Sequence, residues 1–202
     1  MLTQQQQYQK KVMPEMNPVS DKKSGIFADL PKARQITNGM KKKFGYKNDL
    51  AVPRIVKVVV NSAFNTSVDQ QKREAIEKQL TMIVGQKPAP CKARKSISSF
   101  KLRQGAVIGY KATLRGKRMY DFLEKMLAIA FPRTRDFRGI NPKAIDSANN
   151  LTIGFSEHIV FPEMIGEEVR HLFGLEVTIV TNAKTREEAF ELLKLIGVPF
   201  KE

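Results

Sequence analysis

A chain of 202 residues that is 42% hydrophobic can bury one substantial core, and its 12 Phe and 4 Tyr argue for a folded domain rather than a disordered polymer. One cysteine, Cys91, and two histidines, His158 and His171, exclude a disulfide framework within the chain and any Cys/His metal cluster. The formal charge of +15 favours polyanionic partners, and no run of 18 apolar residues is present to span a membrane.

Residues 1–26 are polar and Gln-rich (Gln4 to Gln7), with Pro14 and Pro18. They are expected to form a flexible extension ahead of a single α+β domain over 27–202. The extension has no hydrophobic segment of the secretory kind, and it carries Glu15 and Asp21 but no arginine, unlike a mitochondrial transit peptide. The cytosol, or another compartment with its own translation, is the expected location.

DLPKARQITNGMKKKF (29–44) reads as a helix, with Asp29 as N-cap, Pro31 in the first turn, Gly39 weakening the centre and Gly45 as the stop. RIVKVVVN (54–61) is β-branched and strand-like. In SVDQQKREAIEKQLTMIVGQ, Ser67 and Gln70 are placed as a capping box. Ile76, Leu80, Ile83 and Val84 form the apolar stripe, and Gly85 ends the helix. PAPCKAR reads as a short strand. AVIGYKATLRG (106–116) is a strand in which Gly109 marks a bulge or a close approach.

MYDFLEKMLAIAF (119–131) is an amphipathic helix expected to end before Pro132, and RTRDFRGINPKAIDSANN a long, turn-rich connection. LTIGF (151–155) and LEVTIVTN (175–182) are strands, with HIVFPEM extended between them. Thr185 begins a last helix whose Glu187 and Glu188 suit the dipole and whose Leu192, Leu193 and Ile196 face inward. Gly197 closes it, leaving VPFKE as a tail. The sum is an α+β fold, a mainly antiparallel sheet with helices packed on one face and a long basic loop projecting from it.

Catalytic chemistry finds little support. Gly109 and Gly116-Lys117 are spaced two residues too far apart for a phosphate-binding loop, and Arg118 stands where Ser or Thr is needed. His158, on or beside a strand next to Glu157, has no nucleophile partner and reads as a partly buried structural histidine. Cys91 lies in basic surroundings without a Cys/His signature. Glu167-Glu168 and Glu187-Glu188 read as exposed helix residues. No catalytic residue, cofactor or metal is expected, so the chain is not an enzyme.

The charge is instead concentrated. Residues 78–120 hold eleven Lys or Arg and no Asp or Glu, whereas 151–202 hold five against nine. A solvated surface mixes both signs; this middle stretch does not. Its cations suit phosphates, Phe100 and Tyr110 could stack on unpaired bases, and Ser96, Ser98, Ser99 and Gln104 offer hydrogen bonds to sugar and phosphate. If SFKLRQG is extended, Phe100, Leu102 and Gln104 face one side, Lys101 and Arg103 the other. RNA is preferred to DNA because no helix-turn-helix, basic zipper or finger pattern is present. A general nucleic-acid-binding or RNA-chaperone module sharing only the basic loop is the alternative.

GQKPAPCKARKSISSFKLRQGAVIGYKATLRGKRMYDFLEKMLAIAFPRTRDFRG (85–139) closely resembles the bacterial-type large-subunit ribosomal protein five family, which binds 5S rRNA. VPRIVKVVVN (52–61), FPE (161–163), GLEVTIVTNAKT (174–185) and the terminal PF (199–200) extend the resemblance over about 27–202. It implies a structural, non-catalytic constituent of the large subunit in the central protuberance. The partners it implies are 5S rRNA, large-subunit rRNA, peptidyl-site tRNA and a small-subunit head protein, with the chain a monomer in the ribosome and off the membrane.

Matched to the family's motifs, Asn61, Gln86, Phe100 and Thr113 would bind 5S rRNA. The loop Ala93 to Gly105, with Arg94, Lys95, Ser96, Lys101 and Arg103, would face tRNA and be mobile when free. Lys92, Lys111, Arg115, Lys117 and Arg118 would meet other rRNA phosphates. The intersubunit contact would fall between Arg133 and Ser147, with Arg133, Arg135 and Arg138. Three features depart from the family. NSAFN (61–65) replaces its usual glycine-rich turn, Tyr120 stands where an aromatic, often Trp, is usual, and the extension has no counterpart.

Overall fold

Alternation along the strands decides which side of the sheet is covered. In the computed structural model, which describes residues 31–64, 68–165 and 172–201, Val58, Val60 and Ser62 of β1 (Ile55–Ala63) are buried while Lys57, Val59 and Asn61 are not. The same period of two runs through β3 (Val107–Leu114), β4 (Leu151–Phe155) and β5 (Leu175–Thr181). With the short β2 (Ala89–Lys92) they form an antiparallel sheet in the order β2-β3-β1-β5-β4. The extension, Asp29, Ser67, Glu167, Glu168 and His171 lie outside the described residues.

The helices cover the buried face. α1 (Pro31–Phe44) ends as expected, Gly45 at φ +71° donating to the Lys41 carbonyl at 2.8 Å. α2 (Gln70–Val84) buries Ile76, Leu80, Ile83 and Val84, the stripe read from sequence. Its N-cap is Asp69, without a side-chain bond, and Gln70 is the first helical residue, donating to Glu74 at 3.0 Å. The capping box expected at Ser67 and Gln70 rests on a residue outside those described; among the described residues the cap is Asp69. Side chains from α2, α3 (Gly116–Lys125) and α4 (Arg186–Ile196) join Val58, Val60, Ala112, Leu114, Val177 and Ile179 in one core.

Four further expectations are corrected. α3 does not stop before Pro132: it continues through a π-helical turn, Met126–Ala130, into Phe131–Arg133. Phe131 N–H bonds the Met126 carbonyl, and the Thr134 hydroxyl caps Ala130 at 2.8 Å. The wider turn accommodates a proline ring that a regular α-helix would reject.

HIVFPEM is not extended but forms two 3-10 turns, His158–Val160 and Pro162–Met164. His158 is fully buried in the first of them rather than on a strand, its ring stacked on Phe173 at 3.9 Å.

Of the VPFKE tail, the described residues 198–201 are not loose. Ile140 N–H bonds the Pro199 carbonyl at 2.8 Å, Lys201 N–H bonds the Ile140 carbonyl at 2.9 Å, and the Phe190 and Phe200 rings lie 4.6 Å apart.

α1 stands somewhat apart. Met40 packs with Val52 and Leu192 in a small second cluster. A Cβ on Gly39 would lie 3.1 Å from Leu195, so the glycine that weakens this helix permits its close approach to α4. At the start of α4, Thr185 and Glu188 complete a capping box, and Glu188 also receives the Tyr46 hydroxyl. Burial and this carboxylate push the Tyr46 pKa up to about 12.

Candidate nucleic-acid interface

Because all helices that join the core lie on one side, the other face of the sheet is left with short polar side chains. Asn61 on β1 stands opposite Lys111 on β3, and Thr113 opposite Val59. Gln86, two residues past the end of α2, donates to the Thr113 carbonyl at 3.5 Å. Three of the four residues expected to meet 5S rRNA thus gather over β1 and β3, with Lys111 exposed among them.

Asn61 also donates to Glu176 on β5 at 3.3 Å, which fixes the amide and sets a carboxylate beside it. The open face is therefore graded: cationic toward β3 and β2, acidic at β5. The gradient arises because the acid-free segment folds on one side of β1 and the acidic C-terminal segment on the other.

Gly109 holds the β1–β3 pair close: a Cβ there would sit 2.6 Å from the Ser62 carbonyl oxygen. The β2–β3 register slips between Cys91 and Lys92, so the bulge and the close approach expected at Gly109 both occur at this point of the sheet. In the departing NSAFN segment, Phe64 packs on Tyr110 with ring centroids 5.6 Å apart. Ser62 is buried and donates to the Gly174 carbonyl at 2.9 Å.

The basic loop leaves the sheet between β2 and β3 as a closed hairpin. Ala93 and Gly105–Ala106 are joined at its neck by two backbone bonds of 2.8 and 3.0 Å, and Ile97 and Leu102 by two more of 2.9 and 3.0 Å. Ser96 Oγ accepts from Gln104 N–H at 2.9 Å. Arg94, Lys95, Ser96, Lys101 and Arg103 are all exposed.

The alternation expected along SFKLRQG does not form. Ser98–Phe100 is a 3-10 turn and Lys101 adopts φ +50°, so the chain reverses at this tip. Phe100, 69% exposed, stands on that turn among the loop cations, apart from the open-face trio of Asn61, Gln86 and Thr113.

The remaining cations divide. Lys92 is on β2 and Lys111 on the open face, whereas Arg115, Lys117 and Arg118 surround the N-terminus of α3. No acid occupies that first turn, so side-chain and helix-dipole charge share one sign there.

Arg133 and Arg135 flank a cleft of about 430 Å³ with Phe155, Ser156 and Glu157, at the β4 edge, and Arg138 is exposed beyond it. The β2 and β4 edges are four strand spacings apart, roughly 19 Å. Thr152 and Thr178, with hydroxyls 3.2 Å apart on the open face, were not singled out from sequence. Their off-core positions in LTIGF and LEVTIVTN carried the signal.

His158 offers no catalytic geometry. Phe173 N–H donates to its Nδ1 at 3.4 Å, and Nε2 is buried without a hydrogen bond. Burial lowers its pKa, against smaller opposing effects of the Phe173 backbone and Glu157. Cys91 is partly exposed on β2.

The family model described as "Ribosomal protein L5" matches residues 48–103, and the model for the C-terminus of the same ribosomal family matches 107–200. Relatives named "Large ribosomal subunit protein uL5" are similar over most of this chain. That of Alkaliphilus oremlandii is 48% identical over 167 residues, 82% of this chain and 93% of its own. That of Dictyoglomus turgidum is 48% identical over 170 residues, 84% of this chain and 95% of its own. That of Heliobacterium modesticaldum is 48% identical over 167 residues, with 82% and 93% covered. The chain therefore belongs to the ribosomal protein L5 family in its bacterial form, and is a cytoplasmic, non-enzymatic structural constituent of the large ribosomal subunit.

Proposed function

We propose that the chain, through its single domain at 27–202, binds 5S rRNA on the open face of the sheet and helps attach it to large-subunit rRNA in the central protuberance. The observation that carries this reading is the grouping of Asn61, Lys111, Thr113 and Gln86 over β1 and β3, beside an acid-free hairpin. Asn61 and Thr113 give hydrogen-bonding groups for sugar and base edges, and Lys111 gives a phosphate contact. Glu176 repels phosphates, which restricts the RNA to the β1–β3–β2 half.

Phe100 adds a ring for stacking from the hairpin tip. Arg94, Lys95, Ser96, Lys101 and Arg103 face the peptidyl-site tRNA. Lys92, Arg115, Lys117 and Arg118 meet further rRNA phosphates, with Lys117 on the helical side of the domain. Arg133, Arg135 and Arg138, at the opposite edge, contact a protein of the small-subunit head. Two edges about 19 Å apart suit two different partners.

The test is competition: 5S rRNA against tRNA and random duplex RNA for the purified chain at several salt concentrations. A 5S preference that persists at physiological salt supports the reading. Equal competition by all three, collapsing with salt, overturns it in favour of a general RNA-binding module.

A further inference from the structure

α2 has no basic side chain in its own last turn. Its last regular bond runs from Gly85 N–H to the Thr81 carbonyl at 2.8 Å, so the carbonyls beyond need partners from elsewhere. The Ile83 carbonyl finds one on α3, where Lys125 Nζ donates to it at 2.6 Å. The same ammonium pairs with Glu163 and lies 5.7 Å over the Phe122 ring. Its charge thereby stands at the negative end of the α2 dipole. Glu163 has a fixed mount. It belongs to the 3-10 turn Pro162–Met164, directly after Phe161, which is fully buried against Phe122 and Phe155. The second Glu163 oxygen is buried without a hydrogen bond, so Lys125 is the partner of this carboxylate among the described residues.

We infer that Lys125, anchored by Glu163, is a positioning residue for Gln86 and through it for the rRNA-binding face. The inference rests on the reading of Gln86 as an rRNA contact. Gln86 follows Ile83 by three residues, just past the left-handed Gly85 that ends the helix. Its own bond to the Thr113 carbonyl, at 3.5 Å, is at the outer limit of a hydrogen bond and fixes the amide weakly. The neighbouring Lys87 side chain is 82% exposed, and its pair with Glu77 at 3.5 Å is a surface one that adds little. A mobile end of α2 would therefore let the Gln86 amide swing off β3. Lys125 prevents this by clamping the last turn of α2 from the helical side, away from the open face that meets RNA. FPE (161–163), read from sequence only as part of the resemblance, acquires a role as the mount of this clamp.

The test compares full-length Lys125→Met with the parent, with Gln86→Ala and with the double variant. By NMR on isotope-labelled, RNA-free protein, the Gln86 side-chain amide, assigned by its loss in Gln86→Ala, should be ordered in the parent. In Lys125→Met it should move to the random-coil position while the core resonances are kept. Against 5S rRNA, Lys125→Met and Gln86→Ala should each lose roughly fivefold in affinity, the worth of one hydrogen bond. The double variant should lose no more than either alone. The salt slope should stay that of the parent. If Lys125→Met fails to fold, Glu163→Gln, which loosens the ammonium but keeps it, takes its place in the same cycle. An unchanged Gln86 amide overturns the inference. Losses that add in the double variant do so too, since they mark a merely structural role. A slope reduced by about one contact also overturns it, because Lys125 would then touch phosphate itself. A released Gln86 amide with an affinity indifferent to Gln86→Ala supports the positioning and counts instead against Gln86 as an rRNA contact.

Discussion

Asn61 and Lys111 face each other across β1 and β3, so a hydrogen-bonding amide and a phosphate-seeking cation share one row of the open face. Lys111→Ala should weaken 5S rRNA binding and reduce the salt slope by about one phosphate contact. Asn61→Ala should cost roughly 1 kcal/mol with the slope unchanged. Filter or calorimetric titration over a salt series separates the two. Parallel changes in slope would show that Asn61 acts only through its neighbours.

At the hairpin tip, Phe100→Ala should lose roughly 1–3 kcal/mol of 5S rRNA affinity, the range of one base–aromatic stack. The pair Lys101→Ala and Arg103→Ala should impair tRNA-linked function in reconstituted ribosomes and spare 5S binding. Phe100 and Lys101 are consecutive on one turn, so this comparison is a demanding one. Equal loss of 5S affinity in both variants would mean that the hairpin acts as a unit.

Gly109→Ala tests the scaffold beneath the site. Its Cβ would meet backbone, the Ser62 oxygen at 2.6 Å and Ala63 Cα at 3.2 Å, and neither can swing away. A stability loss on the order of 1–3 kcal/mol is expected from chemical denaturation. An unchanged midpoint would show that β1 and β3 can separate without cost.

Buried His158 gives the fold a pH dependence of definite sign. Its pKa is lowered in the folded state, so the unfolded chain binds the proton more tightly. The stability associated with the neutral ring is whole above about pH 6.5 and declines as pH falls from there toward the folded-state value. His158→Phe, which preserves a ring against Phe173, should flatten this part of the stability–pH curve. A slope identical to that of the parent chain would assign the dependence to other groups.

Much of this was legible from pattern alone. RIVKVVVN and LEVTIVTN were readable as strands, and the Ile76–Leu80–Ile83–Val84 stripe marked the core face of α2, because the 3.6-residue repeat is set by backbone geometry; which side of each strand is buried came from the structure. The acid-free segment located the hairpin.

What pattern did not reveal depends on contacts distant in sequence. Pro132 reads as a helix stop unless the π turn before it is known. HIVFPEM folds into 3-10 turns around a His158 that stacks on Phe173, 15 residues away. VPFK (198–201) is fixed by Ile140 and Phe190. For the site, the residue types were readable. Their division was not, because only strand order puts Glu176 beside Asn61 and the arginines at the far edge.

The central claim is that shape and a graded sheet face, not charge alone, select the RNA. The most direct measurement is equilibrium binding of the full chain to 5S rRNA at physiological salt, with and without excess tRNA and random duplex. The account predicts that 5S rRNA is retained against both competitors and that Asn61→Ala and Thr113→Ala narrow the margin. Displacement by either competitor as readily as by 5S rRNA itself would contradict it.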